Sequence, residues 1–544
     1  MPTFKLDGQE IPFEKGETII RAANRAGVHV PHYCWHPGLS VAANCRMCLV
    51  EIEPAAGQRA MMLDVLKWDA EKKDYVVDRK PKLTPACQMA AGDGMVVKSE
   101  SSPHVALARK NVQEFLLLNH PVDCPICDQA GECMLQDYYM SQQRTPKRMR
   151  DEPVHKPKGV TFGPTIVYDA ERCIACTRCV RFCEEVTGDP VLELTQRGNL
   201  FEIVVAPGRQ LDGKYTMMVE HVCPVGALTT KYWRHKGRVW LLKSTPSVCP
   251  GCATGCNMWF DADPREQTAF RNRPRENADV NRFWMCDDGM LTYQRVQKDR
   301  VTAATVGRGK DAKETPLEDA IRRAATDLAK AGSGKLAVVL SAQHSTEDNL
   351  VAAEFAAAAG AKLYLSARGD WEGDKILRHS DQNPNRAGVM RVAGVDRLPG
   401  LKELADDAGG ITSVLILGND ADVDPASLAP IGKISNVVLL ASNEGPLSAY
   451  ATVILPVASF AECDGTFVNA KGLAQAFKRA LAPRGDGVSA WDAVARIGRG
   501  MKLDLAYKKF SEVRAALAGK DVKPTLGRLD ESTDPATHRP RAGV

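Results

Sequence analysis

Long apolar runs are missing from this chain of 544 residues. A membrane-spanning helix needs roughly 20 predominantly apolar residues, whereas LAVVLSA and SVLILG have only the length of buried strands. Any membrane contact is therefore expected to run through partner proteins. The opening residues, MPTFKLDGQEIPFEKG, lack a basic stretch followed by an apolar one, so no secretory signal is expected. A strong charge imbalance is missing too: a net charge of +4 is small for this length and by itself argues neither for nor against nucleic acid. Cysteine is almost missing beyond residue 287, where only Cys463 stands. With 44% hydrophobic and 25% charged residues, the composition is that of an ordinary globular protein of several domains.

What is there is a crowd of 16 cysteines before residue 287. Clustered thiols in a reducing compartment are metal ligands sooner than disulfides. They fall into four groups along the chain. TFKLDG and QEIPFE read as a hairpin, ETIIRAANRA as a short helix ended by Gly27, and AANCRMCLVEIE as a ligand loop entering a strand. HVALARKNVQEFLLL has helical spacing, and QQRTPKRMRDEPVHKPKG (142–159) reads as a solvated basic linker, with a strand-like wrap as the alternative. Beyond residue 300, TPLEDAIRRAATDLAKAG, KLAVVLSA, TEDNLVAAEFAAAAG, KLYLSA, SVLILGND, NVVLLAS and ATVILPVA alternate helix and strand, which predicts a parallel α/β sheet. Gly332 and Gly334 precede a strand where a phosphate cradle would follow one, so they are a weak nucleotide signal. The polar tail, KPTLGRLDESTDPATHRPRAGV, is expected to be mobile. The expected domains are 1–100, 101–140, 141–245, 246–302 and 303–518, with a tail over 519–544.

The first ligand group is Cys34, Cys45, Cys48 and Cys87. After a hairpin and helix it resembles plant-type [2Fe–2S] ferredoxins, which implies a β-grasp domain and a [2Fe–2S] cluster; zinc is the competing metal for such thiolates. The first gap is ten residues, longer than in those ferredoxins, and VLKWDAEKKDYVVDRKPK before Cys87 reads as a surface hairpin insertion. The glycine-free turn AANCRMC is expected still to aim backbone N–H groups at sulfur.

The third group, CIACTRCVRFCEE with a later CP, has the spacing of two-cluster bacterial ferredoxins, in which the fourth cysteine of each run serves the other cluster. The run belonging to Cys223 would put cysteines at Gly213, Thr216 and Val219, so one cluster is lost. Cys223 should complete the set of Cys173, Cys176 and Cys179, leaving Cys183 without a cluster. The fourth group is Cys249, Cys252, Cys256 and Cys286; it resembles the [4Fe–4S] site of molybdopterin oxidoreductases, with a vestigial or zinc-filled site as the alternative. The second group has only Cys124, Cys127 and Cys133, and the other groups leave only Cys183 and Cys463 over, neither of them near it in sequence. The missing donor is then His120 at the head of HPVDCPICDQAGEC, since imidazole can replace thiolate on iron. Zinc also accepts three cysteines and a histidine, and the flanking iron–sulfur motifs favour iron.

Together CRMCLVEIE, HPVDCPICDQAGEC, CIACTRCVRFCEEVTG, VCPVGALT, CPGCATGC and ATVILPVASFAECDGTFVN resemble the G-subunit family of bacterial NADH-quinone oxidoreductase, the large iron–sulfur subunit of respiratory complex I. The resemblance implies a multidomain α+β and α/β chain. Its expected parts are a β-grasp [2Fe–2S] domain, a helical His/Cys [4Fe–4S] segment, a bacterial ferredoxin-like [4Fe–4S] domain and a truncated molybdopterin-oxidoreductase-like α/β region. It implies one [2Fe–2S] and three [4Fe–4S] clusters, with no molybdopterin, FMN or NAD on this chain, because the roughly 258 residues after Cys286 are too few for the full molybdopterin-enzyme body. No residue set reads as a hydride, flavin or quinone site, so no catalytic residues are expected. The implied function is electron transfer within a proton-translocating enzyme complex. Electrons enter at the [2Fe–2S] centre and pass the Cys173 and then the His120 clusters, with the Cys249 cluster off the line. The implied partners are an FMN/NADH-binding subunit, a thioredoxin-like [2Fe–2S] subunit, a two-cluster ferredoxin-like subunit and quinone-module subunits of the peripheral arm, with no nucleic acid. The implied location is the cytoplasmic side of the bacterial inner membrane. Cys183 is similar instead to the related subunits of NAD-linked hydrogenases and formate dehydrogenases, which makes a diaphorase-type module the alternative.

Overall fold

Asp7-Gly8 is a two-residue turn with both φ angles positive, 49° and 89°, the geometry that reverses a tight hairpin. It joins Thr3–Leu6 (β1) to Gln9–Pro12 (β2) in antiparallel register. This computed structural model describes residues 1–53 and 62–526, with the short paired segments Thr533–Asp534 and Arg539–Pro540. The chain divides into two compact units, Met1–Trp240 (with the C-terminal Asp530–Val544) and Leu241–Leu529.

In the first unit, Ile19–Arg25 (α1) follows the hairpin and buries Ile19, Ile20, Ala22 and Ala23. Leu49–Glu53 (β3), Met62–Asp69 (β4), Asp74–Pro81 (β5), Thr84–Pro85 (β6) and Val96–Lys98 (β7) come next. The sheet order is β2-β1-β7-β3-β6, with β1 and β7 parallel, over a core of Phe4, Leu6, Ile11, Ile20, Val50 and Val97. This is the mixed ferredoxin-like sheet the sequence implies. The expected insertion is present as the separate β4–β5 hairpin, with Leu66, Trp68, Tyr75 and Val77 exposed.

Pro103–Leu117 (α2) begins at Ser102, whose hydroxyl accepts the Val105 amide, and Met134–Tyr138 (α3) follows the second ligand group. Val160–Thr161 (β8), Ile166–Tyr168 (β9), Arg178–Glu185 (α4), Leu192–Thr195 (β10), Glu202–Val205 (β11), Met218–Val222 (α5) and Leu228–Thr230 (β12) complete the unit. β12, β9 and β8 form one small sheet, and β10 and β11 another. The basic connector departs from the solvated-linker reading. It is neither helix nor strand after Gln143, but Arg148 pairs with Glu114 at 2.6 Å, the Val154 amide donates to Asn119 at 3.0 Å, and Lys158 reaches Glu171. Two of its cations, Arg148 and Lys158, meet carboxylates of the same unit, so this mostly exposed connector is pinned to its neighbours.

The second unit opens with an antiparallel sheet of Lys243–Val248 (β13), Asn257–Asp263 (β14) and Thr268–Pro274 (β15), followed by the single turn Asp287–Met290 (α6). Thr305–Val306 (β16), Lys313–Glu314 (β17), Leu317–Ala329 (α7), Leu336–Ser341 (β18), Thr346–Ala359 (α8), Lys362–Ser366 (β19), Arg386–Ala393 (α9), Leu401–Asp406 (α10), Ser413–Leu417 (β20), Asn436–Ala441 (β21) and Val453–Pro456 (β22) build a seven-stranded sheet with its helices. Strands β19, β18, β20, β21 and β22 run parallel, as the alternation predicts; β16 and β17 extend the edge antiparallel. Successive strand residues point to opposite faces. Val338, Leu340, Leu415 and Val438 pack in the core of α7 and α8, while Ala337, Val339, Val414 and Leu439 pack in that of α10. Both faces being covered explains the unbroken apolar runs. Gly465–Val468 (β23) pairs with Ala474–Phe477 (β24), and Ala490–Gly500 (α11) and Phe510–Ala518 (α12) close the unit. Most of the polar tail lies outside the described residues.

Candidate metal centres

The first ligand set hangs on the loop before β3. Ala43 and Arg46 hold left-handed backbone, φ 50° and 59°, a conformation non-glycine residues adopt rarely, and the loop thereby curls around Cys45. The Cys45 thiol, with the Cys45 and Asn44 amides and the Arg181 charge behind it, lowers the Cys34 pKa against the effect of burial. Cys45 is pushed up by Cys34 and burial, and Cys48 by Cys87 and burial. The thiols thus stand as two pairs, Cys34 with Cys45 and Cys48 with Cys87, and the Cys45 and Asn44 amides are aimed at the Cys34 sulfur as the turn predicts. Thiols this close cannot all ionise without a cation among them.

The second set begins where α2 ends. His120 Nδ1 is buried without a hydrogen-bond partner. Burial, with Arg172 and Lys158 nearby, lowers the His120 pKa to about 4 despite Asp123, so the ring is neutral near pH 7 with a free lone pair. Cys124 and Cys127 share one tight turn, the Cys127 amide donating to the Cys124 carbonyl at 3.2 Å, and Cys127 acts on Cys133. A methyl group on Gly226 would overlap Cys127 Sγ, so only glycine leaves room for the thiol there.

The third set surrounds a cavity lined by Cys173, Cys176, Cys179 and Cys223, with Tyr168, Ile203 and Leu228 on its walls. Ala175 and Thr177, at φ 51° and 60°, coil the loop, and the Ala175 amide donates to Cys173 Sγ at 3.4 Å. Tyr168 Oη accepts the Ile203 amide at 3.1 Å and donates to the Cys173 sulfur. Burial raises Cys176 to about 11 and Cys223 to about 12. Cys183 is buried on the same helix but does not line the cavity.

The fourth set is buried in the second unit. The Cys249 amide donates to the Cys256 carbonyl at 2.8 Å, the Gly251 amide donates to Cys249 Sγ at 3.3 Å, and Cys286 leads into α6. A Cβ on Gly289 would stand 3.0 Å from Cys249 Sγ and 3.5 Å from Cys286 Sγ. Cys252 and Cys286 act on both Cys249 and Cys256. Cys463 belongs to no set; its thiol donates to the Ser459 carbonyl at 3.4 Å.

Among the described residues, no three His, Cys, Asp or Glu donors crowd closely enough to hold a single metal ion; the sulfurs of the third set line one cavity. An unpartnered imidazole nitrogen, glycines that clear room for sulfur, and amides donating to thiols all fit iron–sulfur clusters. Sequence reading missed the residues that tie the sets together. Arg172, next to Cys173, grips Asp123, next to Cys124, through two bonds of 3.0 and 2.6 Å. The signal was a charged residue beside a ligand at each end, but nothing in the sequence pairs positions 123 and 172.

Known families match along most of the chain. Residues 1–67 match a 2Fe-2S iron-sulfur cluster binding domain, 109–145 the NADH-ubiquinone oxidoreductase-G iron-sulfur binding region, and 163–229 the ferredoxin-like domain of NADH-quinone oxidoreductase subunit 3. Residues 242–298 match the molybdopterin oxidoreductase Fe4S4 domain, and 277–499 molybdopterin oxidoreductase. The NADH-quinone oxidoreductase G subunit of Streptomyces coelicolor is 35% identical over 65% of this chain and 39% of its own length. The Rickettsia felis G subunit is 30% identical over 73% of this chain and 54% of its own. This chain is similar to the G subunits of NADH-quinone oxidoreductase. The mitochondrial 78 kDa subunit of NADH-ubiquinone oxidoreductase from Neurospora crassa is likewise similar, 38% identical over 56% of this chain and 37% of its own. The chain thus spans about half or less of the length of these relatives. The matches include domains of both the [2Fe–2S] and [4Fe–4S] type. Among the described residues no helix is long and apolar enough to cross a membrane.

Proposed function

We propose that this chain carries electrons within an NADH:quinone oxidoreductase as its large iron–sulfur subunit. In this reading Cys34, Cys45, Cys48 and Cys87 hold a [2Fe–2S] cluster. Three [4Fe–4S] clusters are held by His120 with Cys124, Cys127 and Cys133; by Cys173, Cys176, Cys179 and Cys223; and by Cys249, Cys252, Cys256 and Cys286. Bound there, the clusters supply one-electron acceptance and release. The residues of the chain keep the donor sets dry, fix their spacing and direct N–H and O–H groups at sulfur, the levers by which a protein sets potential.

The observation that carries the proposal is that three donor sets share one unit and are cross-connected through buried arginines, an arrangement for conduction and not for substrate binding. The proposed donor is an FMN/NADH-binding subunit with a thioredoxin-like [2Fe–2S] subunit, and the proposed acceptor a two-cluster ferredoxin-like subunit leading to the quinone module. Attachment to the cytoplasmic face of the inner membrane would run through those partners. The test is anaerobic purification of the chain with its partners, followed by iron, sulfide and EPR analysis. Iron and sulfide matching one two-iron and three four-iron centres, with membrane proton-pump subunits in the complex, are expected. A nickel or molybdenum catalytic subunit as partner, or zinc in place of iron, would overturn the proposal.

A further inference from the structure

Helix α4 carries two buried arginines one turn apart, Arg178 and Arg181. Arg181 Nη2 donates to the Cys34 carbonyl at 2.6 Å and to the Cys176 carbonyl at 3.3 Å, so one nitrogen bridges the first and third donor sets. Arg178 Nη1 donates to the Val222 carbonyl at 3.3 Å and lies 4.0 Å from Met134 Sδ, while Nη2 donates to the Trp35 carbonyl. Trp35, Met134 and Val222 are the chain neighbours of Cys34, Cys133 and Cys223, and Arg178 itself precedes Cys179. A single guanidinium therefore touches a residue adjoining a donor in each of the three sets of the first unit.

Its surroundings do not neutralise it in the usual way. Arg178 Nε has no hydrogen-bond partner. The groups that act most on its charge are Cys176, Tyr138, Cys34 and Cys45, with no carboxylate among them. A buried cation without a counter-charge is strongly unfavourable, and such charges persist where they are paired or serve a metal site. The negative charge available here is that of the thiolate-bound centres.

We infer that Arg178 is the shared counter-charge of the Cys34 and Cys173 centres and holds the reduction potentials of both up together. The inference rests on the electron-transfer reading above. Each centre becomes more negative by one electron when its donor reduces it, and a fixed cation in a low-dielectric surround stabilises that reduced form. Arg178 is thus a positioning and charge-setting residue that touches no donor atom. One cation serving two centres means that both potentials move together when it is removed.

The test is EPR-monitored titration with dithionite of the intact chain with its partners, comparing the parent with Arg178→Gln and Arg178→Lys. In Arg178→Gln the Cys34 and Cys173 signals are expected to shift together to lower potential, while the Cys249 centre keeps its own. Arg178→Lys, which keeps the charge and loses the fork, should stay near the parent at both. Unmoved potentials in Arg178→Gln with iron and sulfide intact would overturn the inference, as would an equal shift of every centre. If Arg178→Gln loads no iron at these sites, Arg178→Lys decides: parent-like potentials support the inference, and lowered ones or loss of iron assign the residue a bracing role only. Absence of iron–sulfur signals from the parent would refute the electron-transfer reading itself, a distinct outcome.

Discussion

Cys179 and Cys183 lie one helical turn apart on α4, and only Cys179 lines the cavity. Burial and Asp189 raise the Cys183 thiol as burial raises the cavity thiols, so what sets Cys183 apart is its place off the cavity. Cys183→Ser is therefore expected to retain the full iron content, whereas Cys223→Ser should lose the iron of the third centre; iron and sulfide assay of the two variants decides, and equal losses would sink the assignment. Tyr168 bears on the proposed third centre through Cys173. Its hydroxyl donates to the Cys173 sulfur, and a donor to sulfur favours the reduced cluster. Tyr168→Phe should lower the potential of the Cys173 centre and leave the Cys34 centre in place, as read by redox-titrated EPR; an unchanged value would remove the tyrosine from the account. At this scale the proposed donors stand out in the sequence because metal chemistry fixes the spacing of such residues. His120 was legible because three cysteines fell one donor short, and its unpartnered nitrogen agrees with that count. Tyr168, Arg178 and Arg181 were not, since an arginine in a helix ordinarily faces water and its role here depends on carbonyls more than a hundred residues away in the chain.

Among the elements, α8 shows how a carboxylate can be buried at a helix start. Glu347 and Asp348 sit in its first turn, beneath a capping box formed by Ser345 and Asp348. Glu347 accepts the Thr466 amide and hydroxyl of β23, both at 2.8 Å. Burial raises its pKa from 4.5 to about 7 against the pull of Thr466 and Arg514. The folded protein thus holds this proton more tightly than the unfolded chain, so the stabilisation from it is complete below pH 4.5 and is lost as pH rises through 7. Glu347→Gln should remove this dependence. Between pH 5 and 8 the parent should lose about 3 kcal/mol relative to the variant, read from denaturant unfolding of the second unit; parallel profiles would contradict it. The long elements of this unit were legible because a sheet buried on both faces needs continuous apolar strands. Strands β16 and β17, two residues each, carry no periodicity to read and exist only because β22 offers its edge. The connector misled for a related reason: a run of cations looks solvated until the fold sets Glu114 and Glu171 against it.

At the level of the whole molecule, three donor sets lie in one unit and the fourth in the other. Cys286→Ser should therefore remove the iron of the fourth centre alone, with the EPR signals of the other three retained in shape and potential. Collective loss of all signals would show that the units do not load separately. The composition of the chain from recognisable parts was legible along its length, yet the joints between the parts were not. At Gly226 a side chain would overlap the sulfur of Cys127, and at Arg172 the third set grips the second through Asp123. Families recognised as separate stretches, 109–145 and 163–229, are thus fitted to one another atom by atom. A transplant of another ferredoxin-like domain into this chain would fail unless it brought its own glycine and arginine at these two positions. The same constraint bears on recombination in evolution, which could exchange the first unit of this chain as one inheritance but not piece by piece.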